Sequence, residues 1–276
     1  MRKILDKEIS LLLKEASLAN RCIGEGLTSI RKCGTFDAGG IYMASLLVSS
    51  GIERLMKIIL VQNFRIENNG DLPNNNYLKG KGHNLIELYQ NIINIKERNN
   101  INKLGDVLRE NEISNQIFIY LNDFAKGARY YNLDELTNSN KKSSNPLSEW
   151  ENIEKKILML HKKKKKSKTE ILLENDNFVK SLESSVAILK YGVDNQLFRS
   201  PVEYLNKYKD IDFTQGYFVY YILKIIKFLN LILENLENKI GSIPFTNEFF
   251  SFYMIVDSEE YPCYKIRKFK KWVRYY

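Results

Sequence analysis

Helical periodicity is the feature of this sequence that most constrains its fold. Segment 41–61 carries apolar residues at spacings of three and four, namely Ile41, Ala44, Val48, Ile52, Leu55 and Ile59. That spacing lines one face of an α-helix. Little of the chain alternates apolar and polar residues with period two, as a half-buried strand does. We therefore predict an all-α fold: a helical bundle of antiparallel helices with an additional helical C-terminal segment.

The same spacing predicts most of the remaining helices. They are expected over 4–20, 83–95, 112–128, 149–161, 169–191 and 214–240. Segment 67–76 combines several asparagines with a proline, which is typical of an exposed loop rich in turns. The tail 246–276 is rich in Phe and Tyr but has no decisive period. It is expected to be either helical or a short β ribbon.

A block of lysines divides the chain. Lysines 162–166 follow one another, and Ser167 and Lys168 extend the block. Like charges in such a run repel each other and favour solvent exposure. We therefore predict one helical region over 1–161, an exposed lysine-rich loop over 162–168, and a C-terminal helical region over 169–276 packed on the first.

Composition points to a basic protein of the cytoplasm. The net charge of +9 favours contact with polyanions such as RNA or DNA, or with an acidic partner protein. The chain is also rich in Lys, Asn and Ile, as AT-rich genomes encode, and this bias contributes to the charge. Acidic residues interrupt the first apolar run, and Lys224 and Lys227 interrupt the longest one, so neither a signal peptide nor a membrane span is expected. The three cysteines are too few and too widely spaced for a disulfide framework.

Sequence motifs exclude several kinds of active site. The chain has no glycine-rich phosphate loop, no H-E-x-x-H and no G-x-S-x-G. His83 and His161 are its only histidines, which excludes a metal site built from several histidines. No metal or cofactor is therefore predicted. Whether the protein is an enzyme stays open, because catalytic triads are recognised by geometry and not by sequence position.

One candidate site surrounds the first histidine. Lys79 and Lys81 alternate with glycines and lead directly into a predicted helix. In one interpretation, His83 or Asn84 caps the first turn of that helix. In the other, the imidazole of His83 faces a cleft and acts as a base, with the two lysines as binding residues.

A second candidate site lies where the helix over 112–128 ends. Arg129 is followed by Tyr130 and Tyr131, and Asn132 or Asp134 is expected to cap the next helix. In one interpretation this is a junction between helices held by an Arg–carboxylate pair. In the other, the arginine binds phosphate and the tyrosines stack on bases.

Two charged residues on helix 41–61 complete the set of candidates. Glu53 and Lys57 are four positions apart and share one helix face, so they are expected to form an ion pair. Alternatively, Glu53 orients Arg129 across a helix interface.

Three segments together resemble the HEPN superfamily of bacterial helical domains. They are Ser49–Lys57, Gly82–Leu88 and Ala128–Asn132, and the resemblance spans residues 38–160. It implies a helical bundle, frequent dimerisation, and association with RNA, nucleotides or phage defence.

Many HEPN proteins are ribonucleases, whose motif places a histidine a few positions after an arginine. The paired motifs of a dimer form one site, where the histidine moves protons and the arginine stabilises charge on the phosphate. Here the positions after Arg129, residues 130–135, contain no histidine. The leading hypothesis is therefore a catalytically degenerate HEPN-like protein that binds RNA, a nucleotide or a partner protein around Arg129 and His83, in phage defence or stress response. The alternatives are a metal-independent endoribonuclease that uses these two residues, and a structural module for protein interaction.

Overall fold

A computed structural model of the chain describes residues 7–34, 37–101, 104–139, 144–162, 201–241 and 245–273. Within those ranges all regular structure is helical and no strand occurs. The predicted all-α bundle is therefore confirmed. The predicted helix over 169–191 and all of the lysine-rich loop after Lys162 lie outside the described residues.

The described helices follow the predicted periodic segments and extend most of them. The α-helices are α1 (Lys7–Ile30), α2 (Ala38–Glu67), α3 (Asn75–Gly80), α4 (Leu85–Arg98), α5 (Val107–Glu110), α6 (Glu112–Lys126), α7 (Tyr131–Leu136), α8 (Pro146–His161), α9 (Pro201–Ile240) and α10 (Cys263–Ile266). Short 3₁₀ helices cover Ala128–Tyr130 and Thr246–Ile255. The β-ribbon alternative for the tail is thus wrong over its described part. The short helix α3, which begins inside the predicted loop, was missed.

Side-chain caps explain where several helices begin. Asp37 accepts a hydrogen bond of 2.7 Å from the amide of Gly40 and starts α2, and Asn111 starts α6 in the same way. Asn145 caps α8, whose first residue is Pro146. Proline suits that position because the amide it lacks has no partner inside a helix.

Helix α2 is the centre of the bundle. Helix α1 runs antiparallel to it, because Glu15 contacts Arg54 while Gly26, later in α1, lies against Val48, earlier in α2. Helix α6 is also antiparallel, because Tyr120 contacts Ser45 and Phe124 contacts Tyr42. Helix α4 runs in the same direction as α2, because His83 before α4 bonds to Glu53 and Asn99 after α4 bonds to Asn63. Helix α9 does so too. Gln215 near its start bonds to Cys33 just before α2, and Glu237 near its end bonds to Gln62.

Two glycines bring α1 and α2 unusually close together. A Cβ atom at Gly26 would lie 2.5 Å from Cγ2 of Val48, and one at Gly51 would lie 2.6 Å from Cγ1 of Ile23. Both distances are shorter than side chains tolerate, so the two backbones approach because glycine has no Cβ.

Helix α9 joins the two predicted regions in one hydrophobic core. Its side chains Ile222, Ile226 and Leu229 are completely buried, in the same cluster as Ile52 and Leu55 of α2. By length and composition, the part of α9 from Asp210 to Ile240 could cross a membrane. However, 78% of its most apolar window is buried inside the protein, as in a core helix.

Arg31 attaches the C-terminal segment to the bundle. Its side chain is 1% exposed and donates hydrogen bonds to the carbonyls of Asp212, Arg267 and Phe269 at 2.8–3.1 Å. Burial, with a smaller contribution from Arg267, lowers the pKa of Arg31 to about 10. Nearby, the amide of Trp272 donates to the hydroxyl of Thr28 at 2.8 Å.

Candidate functional site

His83, Glu53 and Lys57 form a bonded array between α2 and the start of α4. Nδ1 of His83 lies 2.9 Å from Oε1 of Glu53, and Nζ of Lys57 donates to the same oxygen at 2.8 Å. The His83 side chain is 75% exposed, whereas that of Glu53 is 16% exposed. A half-buried carboxylate thus holds a solvent-facing imidazole in one orientation, as many catalytic and ligand-binding histidines are held.

At the start of α4, Asn84 caps the helix and His83 does not. Oδ1 of Asn84 accepts from the amide of Glu87, so Asn84 is the cap of α4. His83 points to Glu53 instead. Gly82 has a φ of +58°, in the left-handed region that glycine favours, and it turns the chain between Lys81 and His83.

A polar cavity of about 450 Å³ lies between α2, α3 and α4, and it is lined by Lys81, two residues before His83, and not by the three residues of the array. Lys81 lies in its wall, donates to Oδ1 of Asn91 at 3.2 Å, and has its ammonium 5.1 Å from the ring centroid of Tyr77. The remaining lining residues come from α2 and α4, and they are Leu60, Asn63, Glu67, Asn94, Ile95, Glu97 and Arg98. Lys79 is exposed on the same segment. We call Glu53, Lys57, Lys79, Lys81, His83 and this cavity the α2–α4 site.

The residues predicted from the sequence do not include Tyr77, Asn63, Asn94 and Arg98 of the cavity wall, although the sequence carries a signal for part of it. Polar residues interrupt the apolar pattern of α2 at Glu53, Lys57, Asn63 and Glu67. At 3.6 residues per turn these positions fall on one side of the helix. Of these four residues only Asn63 is buried, so the stripe marks a side of α2 that the core covers incompletely.

The second predicted site is an exposed turn at the end of α6. Arg129 is exposed, and its guanidinium lies 5.0 Å from the ring centroid of Tyr130, whose residue is 52% exposed. Within the described ranges Arg129 has no carboxylate partner, so the expected Arg–carboxylate junction is not found there. The ring of Tyr131 is half-buried near Tyr42.

Two expectations about the turn are wrong. Neither Asn132 nor Asp134 caps a helix, because the 3₁₀ turn Ala128–Tyr130 continues directly into α7, which has no side-chain cap. Nor does Glu53 orient Arg129, because its hydrogen bonds go to Lys57 and His83. The described residues contain no hydrogen bond or ion pair between Arg129 and His83.

The second histidine has a different setting. The ring of His161 stacks on Tyr217 with 3.9 Å between centroids and 10° between planes, and its Nε2 lies 2.5 Å from the hydroxyl of Tyr221. The guanidinium of Arg267 lies 4.1 Å from the centroid of Tyr217. Because two groups this close to the ring centroid cannot both lie on one face, the ring of Tyr217 is sandwiched between His161 and Arg267. Burial, and then the charge of Arg267, lowers the pKa of His161. We call Arg31, His161, Tyr217, Tyr221 and Arg267 the C-terminal clamp.

Neither metal ligation nor similarity to known proteins assigns a role to these groups. The described part of the chain contains no group of three or more His, Cys, Asp or Glu residues arranged to hold a metal ion. No family model, no curated protein and no solved structure matches the chain. The chemistry of the α2–α4 site is therefore what indicates its role.

Proposed function

We propose that this protein binds RNA through the α2–α4 site. The observation that carries the proposal is the position of segment 79–83. Glu53 holds its histidine, Asn91 holds Lys81, and Lys81 lies in the wall of the cavity. The segment therefore presents two lysines and an exposed imidazole to solvent in a constrained geometry.

The chemistry of this surface matches that of an RNA strand. Lysine ammonium groups bind phosphates. The aromatic ring in the cavity wall is that of Tyr77, which contacts Phe64 and the ammonium of Lys81. The net charge of +9 favours encounter with a polyanion. The exposed pair Arg129–Tyr130 is a second contact of the same chemistry, and the HEPN resemblance adds phage defence or stress response as the setting.

Salt dependence tests the proposal. The affinity for a labelled single-stranded RNA is measured by fluorescence anisotropy from 50 mM to 200 mM salt, for the wild type and for the double variant Lys79→Ala/Lys81→Ala. Each lost phosphate contact should reduce the slope of log K against log[salt] by roughly 0.7.

The matched control removes two other exposed lysines. Lys14 on α1 and Lys268 in the tail lie outside the α2–α4 site and are exposed. The variant Lys14→Ala/Lys268→Ala has the same net charge as the test variant. An equal loss of slope in both variants would mean that the protein attracts RNA only by its overall charge, which contradicts the proposal.

An endoribonuclease is the second candidate, and the His83–Glu53 pair favours it. A carboxylate bound to Nδ1 leaves Nε2 of an exposed imidazole able to exchange a proton with a substrate. Labelled RNA is incubated with the protein without added metal, beside His83→Ala and Arg129→Ala. Cleavage that is lost in both variants would establish the nuclease. RNA binding without cleavage would instead agree with the catalytically degenerate protein that is predicted from the lack of a histidine after Arg129.

A further inference from the structure

A cavity of about 580 Å³ lies in the C-terminal segment and shares no wall residue with the α2–α4 site or the C-terminal clamp. Two of its wall residues are Ser251 and Lys271. The others are apolar or aromatic, and they are Phe252, Ile255, Tyr261, Phe269 and Val273. We call this cavity the aromatic cavity.

Packing against the core fixes the rings of its wall. The ring centroids of Phe252 and Phe269 lie 5.7 Å and 5.4 Å from that of Trp272. Trp272 is 1% exposed, and its amide donates to the hydroxyl of Thr28 on α1. Tyr261 meets Phe269 with 5.8 Å between centroids and 68° between planes, the edge-to-face arrangement that aromatic pairs prefer. The aromatic cavity is therefore preformed, which reduces the entropy that a ligand would lose with it on binding.

The protein covers these rings only in part. Phe252, Tyr261 and Phe269 pack against the core cluster, yet each of them remains partly exposed, as does Ile255. Apolar surface that stays in contact with water favours a ligand that covers it. The wall therefore favours a ligand with an apolar, aromatic body.

Lys271 indicates the charge that such a ligand should carry. It is exposed, and its ammonium has three donors, so it can bind an anion in addition to a contact with the protein. No carboxylate lies among the described residues of the wall to repel an anion. A nucleobase is less suitable, because Phe252, Ile255 and Val273 offer no hydrogen-bonding side chain to its polar edge, and an unpaired buried polar group costs free energy.

We infer that the aromatic cavity binds a small amphiphilic anion, with an aromatic body among Phe252, Tyr261 and Phe269 and an acidic group at Lys271. The volume of about 580 Å³ lies in the range of small-ligand pockets. This binding is separate from the proposed RNA binding and does not depend on it.

Fluorescence titration with 8-anilino-1-naphthalenesulfonate tests the location of the site. This probe has an aromatic body and one sulfonate, and it reports on apolar surface. Ser251→Trp introduces an indole at an exposed position of the wall, so it should weaken probe binding at least about tenfold, the value of burying one aromatic ring. Ser17→Trp, at an exposed position of α1, is the matched control and should bind the probe as the wild type does. Urea denaturation checks that both variants are folded.

Lys271→Gln tests the acidic group. It should weaken binding of the sulfonate probe roughly threefold to fivefold, as the loss of an exposed ion pair does, and leave binding of the uncharged N-phenyl-1-naphthylamine unchanged. Lys268→Gln is the control, since Lys268 is exposed on the same segment but outside the wall.

Four results would overturn the inference. They are no saturable binding of the sulfonate probe by the wild type, equal affinities of Ser251→Trp and Ser17→Trp, equal losses for the two probes in Lys271→Gln, and equal effects of Lys271→Gln and Lys268→Gln.

Discussion

The two histidines of this protein occupy opposite kinds of surroundings. His83 in the α2–α4 site is 75% exposed, and one hydrogen bond to Glu53 orients it. His161 in the C-terminal clamp is stacked on Tyr217 and bonded to Tyr221. The first histidine can meet a ligand at little cost in packing, whereas the second joins α8 to the core helix α9. The same residue type is thus exposed and oriented by one carboxylate in one region and packed between aromatic rings in the other, which is why we propose a binding role for His83 and expect a stabilising role for His161.

The largest difference between the two regions should appear in Arg31→Met. The change leaves three carbonyl oxygens without their donor in a buried place, and each such group costs about 1–3 kcal/mol. With three such carbonyls, we expect the free energy of unfolding in urea to fall by roughly 3–5 kcal/mol. Arg21→Met, which breaks an exposed pair with Glu25, should cost under about 1 kcal/mol. Similar losses for the two variants would show that the clamp does not stabilise the fold.

An intermediate effect is expected from the protonation of His161. Its pKa is lowered in the folded protein, so the unfolded chain takes up the proton first as the pH falls. The contribution of the neutral imidazole to stability is therefore complete above the ordinary pKa near 6.5 and decreases below it.

The variant His161→Phe isolates this effect. It keeps a ring to stack on Tyr217 and removes the titrating group. Urea midpoints measured from pH 8 to pH 5 should fall less steeply for His161→Phe than for the wild type. If the urea midpoint of His161→Phe fell as steeply towards pH 5 as that of the wild type, other groups would set the pH dependence of stability.

The smallest effect on stability is expected from Glu53→Gln in the α2–α4 site. A pair at positions i and i+4 contributes about 0.2–0.5 kcal/mol, so thermal and urea unfolding should hardly change. RNA affinity should change nevertheless, because His83 and Lys57 lose their common carboxylate. If Glu53→Gln lowered the stability as much as Arg31→Met, then Glu53, Lys57 and His83 would stabilise the fold as the C-terminal clamp does, and the contrast between the two regions would be lost.

Local rules explain why so much of the fold could be predicted. The spacing of Ile52, Leu55 and Ile59 requires a helix, whatever that helix packs against. Asn84 caps α4 because a short polar side chain before an apolar run binds the amides of the first turn. The pairing of Glu53 with Lys57 depends only on helical spacing.

Other features depend on contacts between residues that are distant in sequence. Tyr77 and Arg98 lie on opposite sides of His83 in the chain, and only the packing of α3 and α4 on α2 brings both to one cavity. The capping expected of Asn132 or Asp134 failed because the preceding 3₁₀ turn continues into α7. The partners of Arg31 are more than 180 residues away along the chain.

The sequence by itself determined the helical class, most helix positions and the candidate segments around His83 and Arg129, because these follow from periodicity and from residue types next to one another. Only the tertiary structure decided that α4 runs parallel to α2, that Glu53 pairs with His83 and not with Arg129, and that three asparagines line one cavity. The physical reason is that helix periodicity is local, whereas the direction and pairing of helices are chosen by burial and hydrogen bonding across the whole chain.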